Sequence, residues 1–590
     1  MNHQFIKIKT VSPILEVANP QFNVKEMIKH LKNSDADIIA FPELSLTSAS
    51  CKDLFFHQEL ISDAYHALEW LLENNPYSGF VVLGMPVLFN QQLINAALLI
   101  HQDELLGVVP KKQLSKTDKR WFSDPTMYID EYQYIEILGD YIPFGELSFV
   151  NQNASFSIGF SHQERHQTDV SIVIGALANV HQQDEQISAL TKAKSLNDLQ
   201  STVFVSAGAN ESSSDGAYIA HHMVYQYGQP LVSHSVLSLD PVEQVAWVDL
   251  GYIRHLKRNH QQPSEVLDAL EIPEFQMTLV PYQTFIDPLP FVPKNQVEAN
   301  RIFLTQVYAL AKRLKHIQAT KIVIGISGGV DSTLALLVSM KAFEILNLNR
   351  KDIHAYTLPG LHTSKHTKNN AIGLIKSLGV SFKELDLAKH IKDHLSLIGH
   401  DGVTEDVAYE NSQARMRTNV LMNIANMVQA LFVGTGDMSE SALGWSTYNG
   451  DQMSMYNPNA GVPKTTIRYI LKHFSGDEVM KTFIDSILET PITPELKSNQ
   501  QTESSIGKYE INDFILYRFI ICGDTKERIE AMLPSLFNLS ETEAKAYLDQ
   551  FTTRFYQSQF KRQASPDGPK VFANGLKANA DFLMNADVKR

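Results

Sequence analysis

Cysteine is nearly absent: the 590-residue chain has two, Cys51 and Cys522. Two thiols exclude a disulfide-stapled secreted fold and any multi-cysteine zinc or iron–sulfur site. They also limit cysteine nucleophiles to two candidates. Positive charge is short as well, with 51 Lys+Arg against 65 Asp+Glu and a net charge of −14. A dedicated nucleic-acid binder needs a basic face to displace counterions, so no nucleic-acid partner is expected. Nucleotides remain open, because a local loop can bind phosphate on an acidic protein. No apolar run approaches the roughly 20 residues that span a bilayer, so no membrane partner is expected. The start, Met1 to Lys9, alternates like a strand and lacks the apolar core of a signal peptide. The expected location is cytoplasmic. Internal repeats and low-complexity segments are missing too.

What is present fits a globular enzyme: 44% hydrophobic and 20% charged residues. The length exceeds what one core organises, so at least two domains are expected. Up to about residue 260 the chain reads as a sheet-rich α/β domain. Short apolar runs at 37–41, 80–84, 156–160, 170–174 and 203–205 are strand-like, and 93–100 with 105–109 suggests a hairpin. Residues 261–298 are polar and proline-bearing and are expected to be a linker. From 299 to 590 strand and helix alternate: strands at 321–326, 353–357, 382–387 and 431–433, helices at 331–346, 369–378 and 409–429. That order predicts a doubly wound parallel sheet with ligands at the carboxyl ends of its strands.

The sharpest motif is Gly325-Ile326-Ser327-Gly328-Gly329-Val330-Asp331-Ser332, between an apolar strand and a helix. Paired glycines let the backbone approach an anion, and the helix start adds free N–H groups and the positive dipole end. No Gly-Lys-Ser/Thr follows, so this is not a Walker A loop. A lysine-free loop suits pyrophosphate held by backbone and hydroxyl groups, with Asp331 placed to help position Mg²⁺. Two other readings stay open: an incidental glycine turn, or a G-x-S-x-G hydrolase with Ser327 as nucleophile and His400-Asp401 downstream. Further along, Thr435 and Glu440 follow the strand at 431–433, and Glu440 offers oxygen to Mg²⁺. Pro463-Lys464-Thr465 brings a cation that would stabilise a leaving pyrophosphate. Arg415 and Arg417, two apart on a helix, are expected on different faces, so at most one should reach a shared ligand group.

Seven ordered segments carry a resemblance. They are the Ser-Gly-Gly-Val-Asp-Ser loop, 409–415, 434–440, Tyr448-Asn449-Gly450-Asp451, Val462-Pro463-Lys464-Thr465, 559–562 and 566–571. Residues 299–590 resemble the synthetase domain of the glutamine-dependent NAD synthetases, within the N-type ATP pyrophosphatases. The resemblance implies a Rossmann-like domain that adenylates the carboxylate of deamido-NAD with ATP, then lets ammonia displace AMP to give NAD. It implies ATP contacts from Gly325 to Ser332 and Thr435, and deamido-NAD contacts from Asn411, Arg417, Glu440, Asp451 and Lys561. Asp331 and Lys464 are the implied catalytic residues, Asp331 and Glu440 the Mg²⁺ ligands, and a homo-oligomer the implied assembly.

The first 260 residues resemble that family's nitrilase-like α-β-β-α amidase, which makes ammonia with a Glu–Lys–Cys triad. Phe41-Pro42-Glu43 puts Glu43 at the general base, and Val109-Pro110-Lys111 puts Lys111 at the oxyanion. Pro143-Phe144-Gly145 and Glu211-Ser212-Ser213-Ser214-Asp215 also match. The nucleophile does not: where the family reads Ile-Cys-Glu-Asp, this chain reads Phe160-Ser161-His162-Gln163. A serine is a much weaker nucleophile and needs a strong adjacent base. Glu43 or His162 could be offered, but neighbouring strand residues face opposite sides. The glutamine pocket also looks eroded, at Gln113–Asp118 and at Val180-His181-Gln182-Gln183. The expectation is a pseudo-amidase fused to a working synthetase that uses free or delivered ammonia. The alternatives are an active glutamine-dependent enzyme with an unrecognised nucleophile, a serine hydrolase at Ser327, and a chain that only binds.

Overall fold

The computed structural model describes residues 5–588 apart from 126–132, 165, 179–180, 215–216, 263–268, 276–285, 362–364, 475–477, 491–495, 497–504, 573–574 and 579–580. The chain divides into two compact units, Met1–Phe285 and Ile286–Arg590. Asp215 and Val180, both in expected motifs, lie outside the described residues, as do the side chains of His181 to Gln183.

Two sheets stack in the first unit. One has eight described strands in the order Val242–Asp249, Phe5–Ser12, Ile38–Ala40, Phe80–Phe89, Gln92–His101, Glu104–Pro110, Asp140–Phe144 and Gln133–Ile137. The other has seven, from Gln229–Val236 through Ala220–Gln226, Ser201–Ser206, Val170–Gly175, Ser155–Gly159 and Ser148–Val150 to Ala269–Glu271. That last strand falls inside the stretch expected as linker and pairs parallel with Ser148–Val150. Alternation explains the layering, since successive strand residues face opposite sides. Ile6, Ile8, Ile38, Ala40, Phe156, Ile158, Val203 and Val205 meet between the sheets. Val11, Ile39, Val81 and Leu83 face outward onto the helices Pro20–Leu31 and Gln58–Asn74. Val173, Phe204 and Met223 face the helix His181–Asn197 on the far side through Ile187. The unit is an α-β-β-α sandwich of the nitrilase type.

The second unit is built on an all-parallel sheet of four described strands: Ser381–Glu384, Ile353–Thr357, Ile322–Gly325 and Leu431–Val433. Helices cover both faces. Val330–Ile345 and Gln296–His316 pack on Ile322 and Ile324, whereas Val407–Met427 packs on Val323 and Phe432. Residues on both faces of Ile322–Gly325 are therefore apolar, as a buried parallel strand requires. Of the described helices none is long and apolar enough to cross a membrane.

Candidate active site

In the second unit the glycine-rich loop 326–329 leaves the strand Ile322–Gly325, which is flanked by parallel strands on both sides. Its ends are pinned: Ile326 donates its N–H to Tyr356 O at 2.8 Å, and Thr357 Oγ1 donates to Ile326 O at 2.7 Å. Gly328 takes a φ of +90°, a conformation open to glycine. The helix Val330–Ile345 then starts at Gly329 with no side-chain cap. Its first N–H groups and dipole end lie at the loop, where no side chain caps them, as an anion site would need. Ser327 Oγ accepts the Gly329 N–H at 3.3 Å and lies 3.2 Å from Ser332 Oγ. Among the described residues no histidine joins them. His400 pairs instead with Asp406 Oδ1 at 3.1 Å and accepts the Gly402 N–H. The hydrolase reading of Ser327 loses its base.

The loop opens into a cavity of about 830 Å³. Every residue expected to contact ATP or deamido-NAD lines it: Gly325 to Ser332, Thr435, Asn411, Arg417, Glu440, Asp451 and Lys561. Arg415 lines it too, and the two arginines, expected on different faces of their helix, both reach it. Arg415 Nε donates to Tyr448 O and Arg417 Nε to Leu358 O, each at 3.1 Å, so two long side chains border the cavity from different sides. Lys561 Nζ donates to Gly444 O and Ser446 O at 2.8 and 2.7 Å and so fixes the loop between them.

Lys464 does not line the cavity. It is fully buried, and its Nζ lies 2.7 Å from Asp331 Oδ2, 2.7 Å from Asp437 Oδ2 and 2.9 Å from Glu440 Oε1. Burial alone would lower its pKa, but Asp331, Asp437 and Glu440 outweigh that and hold the ammonium firmly protonated. Burial pushes Glu440 up to about 7, against the pull of Lys464. Asp437, which the motif reading passed over as a ligand, caps the helix Met438–Leu443 in a reciprocal capping box with Glu440. That box aims Glu440 at the cavity.

Three carboxylates with oxygens within 4.8 Å of one another could hold a metal ion. Two features of the site suit one. Three carboxylates share a single ammonium, and Asp331 Oδ1 is buried with no hydrogen bond from any described residue. Hard oxygen donors of this kind match Mg²⁺.

The first unit gathers two of its three expected residues. Glu43 follows the strand Ile38–Ala40 and is 2% exposed. Its Oε1 accepts from Asn95 Nδ2 and from Lys111 Nζ, both at 2.7 Å. Lys111 also meets Asp118 Oδ2 at 3.1 Å. Burial acts to lower the Lys111 pKa, yet Glu43 and Asp118 together raise it, so the ammonium is retained. Burial pushes Glu43 up, opposed by Lys111.

Ser161 stands apart from that pair. Its Oγ accepts the Gln163 N–H at 3.1 Å. Just past the strand Ser155–Gly159, the Phe160 ring centroid lies 6.0 Å from Lys111 Nζ. His162 turns the other way, bonding Thr191 Oγ1 at 2.9 Å and stacking on Phe204 with ring centroids 5.1 Å apart. Glu164 folds back so that its carboxylate accepts the Phe160 N–H. It occupies the space beside Gly159, where a Cβ would lie 2.0 Å from Oε2. Cys51 is buried with its thiol on Thr47 O and Ser48 O, and burial pushes its pKa up to about 12. Such a thiol is inert. Glu211 receives Ser48 Oγ, Ser50 Oγ and the N–H groups of Ala49 and Ser50, so this matched motif residue holds a loop.

The similarity to known proteins spans both units. The NAD synthase family model matches residues 303–565. The chain is 32% identical to the glutamine-dependent NAD(+) synthetase of Mycobacterium tuberculosis strain H37Rv, covering 99% of this chain and 96% of that protein. It is 23% identical to the enzyme of the same name from Aquifex aeolicus, over 94% of each. A crystal structure of a glutamine-dependent NAD(+) synthetase from Cytophaga hutchinsonii aligns over 99% of this chain and 97% of that one, at 15% identity and a TM-score of 0.43. The chain belongs to the glutamine-dependent NAD(+) synthetase family, ligases that form a carbon–nitrogen bond.

Proposed function

We propose that this chain forms NAD from deamido-NAD, ATP and ammonia, and that its own first unit does not make the ammonia. One observation supports the second half of that reading: Ser161, which the motif comparison sets at the family's nucleophile position, accepts from Gln163 and has no described hydrogen bond to Glu43 or Lys111. A serine hydroxyl attacks an amide only when a base takes its proton. Glu43 is committed to Lys111 and Asn95, His162 to Thr191, and Cys51 is buried and protonated.

The synthetase chemistry follows from the cavity. A carboxylate resists amines until one oxygen becomes a good leaving group. The nicotinate carboxylate attacks the α-phosphorus of ATP, and pyrophosphate departs against the helix start at Val330 and the Ser327 and Ser332 hydroxyls. Ammonia then displaces AMP from the acyl-adenylate. Asn411, Arg417, Asp451 and Lys561 are the deamido-NAD side of the cavity in this reading. Asp331 and Glu440 would hold Mg²⁺, which when bound supplies Lewis-acid stabilisation of phosphoryl oxygens. Lys464 acts from behind them, as a fixed cation that pulls against the effect of burial on Glu440 and keeps the carboxylates aimed. A cytoplasmic location and a homo-oligomeric state belong to the same proposal.

Steady-state rates with ammonium and with ammonia-free glutamine test it. Turnover with ammonium alone is expected. Glutamine-supported turnover that is lost in Ser161→Ala would overturn the reading.

A further inference from the structure

The helix Lys464–Lys472 starts without a cap of its own, because Pro463 stands at its N-cap and contributes no side-chain hydrogen bond. The first N–H groups of a buried helix must find other partners. Two neighbouring helices provide them. Lys464 donates its N–H to Ser439 Oγ at 2.9 Å, on the helix Met438–Leu443 that also carries Glu440. Thr465 donates twice to Asp513 Oδ2, from its N–H at 3.1 Å and its hydroxyl at 2.7 Å. Ser439 passes its own hydroxyl hydrogen to Asp513 Oδ1. Asp513 sits on the helix Tyr509–Ile520 and is 2% exposed.

One carboxylate therefore receives three hydrogen bonds and clamps two helix starts together. A carboxylate suits the place, being acceptor-only and favoured at the positive end of a helix. Asp513 is absent from the residues that line the cavity, so it does not meet substrate directly. What it touches is the backbone segment that carries Lys464, whose Nζ sits 2.7 to 2.9 Å from three carboxylates. Contacts that short tolerate little displacement of the helix.

We infer that Asp513 is a positioning residue for the synthetase reaction, fixing the Lys464 ammonium among Asp331, Asp437 and Glu440 by capping the Lys464 helix. The inference rests on the role given to Lys464 above. No local pattern in the sequence marks Asp513, because its partners lie 48 and 74 residues away.

The test uses the full-length chain and two readouts, ammonia-dependent NAD formation and ATP–pyrophosphate exchange. Asp513→Asn keeps the shape but offers one acceptor and two donors, so it cannot receive all three bonds. Both rates are expected to fall about 30-fold, with KM for ATP moving less than about threefold, as for a misplaced catalytic group. In a Lys464→Gln background the same change is expected to cost nothing further, because residues acting as a unit are not additive. Independent, multiplying losses would overturn the inference, as would wild-type exchange in Asp513→Asn. If Asp513→Asn does not fold, Thr465→Val decides: it removes one of the three donors and should lower kcat about threefold, again only when Lys464 is present. Full activity in Thr465→Val would then refute the inference. Lys464→Gln with unimpaired exchange would refute the role of Lys464 itself, a separate outcome.

Discussion

Each unit buries a lysine among carboxylates, and the two constellations differ in what lies beside them. In the second unit Lys464 is ringed by Asp331, Asp437 and Glu440, all three of which border a cavity of about 830 Å³. Asp331 Oδ1 is buried with no described donor. In the first unit Lys111 is matched by Glu43 and Asp118, and Glu43 is further satisfied by Asn95. Past the strand Ser155–Gly159, the Phe160 ring lies over Lys111. One site is charged, open and incomplete without ligand; the other is closed on itself. Buried charge is a sign of chemistry only where something reactive is left to meet it.

The sharpest way to break this comparison is to remove each lysine. Lys464→Ala is expected to lower ammonia-dependent kcat by about 10³-fold, the scale of losing one fixed charge at a reacting centre. It should also lower the melting temperature, since stranding buried carboxylates costs about 3–5 kcal/mol. Asp331→Ala is expected to abolish pyrophosphate release for the same reason. Lys111→Met should match the stability loss, at about 3 kcal/mol for the stranded Glu43. Its ammonia-dependent kcat should stay within about twofold of wild type if the first unit contributes no proton-transfer chemistry. A large loss of kcat with retained folding would place chemistry in the first unit.

A smaller effect comes from Glu164, which turns back over Gly159 and whose carboxyl burial pushes up to about 7. A raised folded-state pKa means the native unit binds the proton more tightly than the unfolded chain. Its contribution is complete below the ordinary carboxyl pKa and is lost as pH rises through about 7. Between pH 8 and 6.5 the histidines His162 and His222, pushed down to about 4 and about 3 by burial, stay neutral in the folded state. Over that window wild type should gain about 1 kcal/mol relative to Glu164→Gln, read by denaturant unfolding. Equal pH dependence in both proteins would remove Glu164 from the account. The smallest expected effect is that of Ser161→Cys. A thiol restored at 161 still lacks a free base and should give no glutamine-dependent turnover.

Much of this was legible in the residues because it is local. The strand–loop–helix from Ile322 to Ile345 announces itself in an apolar run, two glycines and an amphiphile-free helix start. The strands Ile353–Thr357 and Leu431–Val433 match their expected limits residue for residue. The strand expected at 382–387 stops at Glu384, because Leu387 turns to pack with Ile391, Leu395 and Tyr409. Long-range choices were not legible. Spacing separated Arg415 from Arg417, yet the length of both side chains brings both to the cavity wall. Motif order put Lys464 beside the pyrophosphate, whereas three carboxylates from separate segments draw it behind the wall. The Asp513 clamp joins residues with no shared pattern. Serine in place of the expected cysteine at 161 was legible in the sequence, whereas the partners of Glu43, His162 and Cys51 were not.

The central claim is that nitrogen enters at the second unit without passing through the first. The most direct measurement supplies the full-length chain with glutamine carrying ¹⁵N in its side-chain amide, together with unlabelled ammonium, and reads the mass of the NAD formed. The account predicts unlabelled NAD at every glutamine concentration. NAD carrying ¹⁵N above the level set by spontaneous glutamine hydrolysis would contradict it.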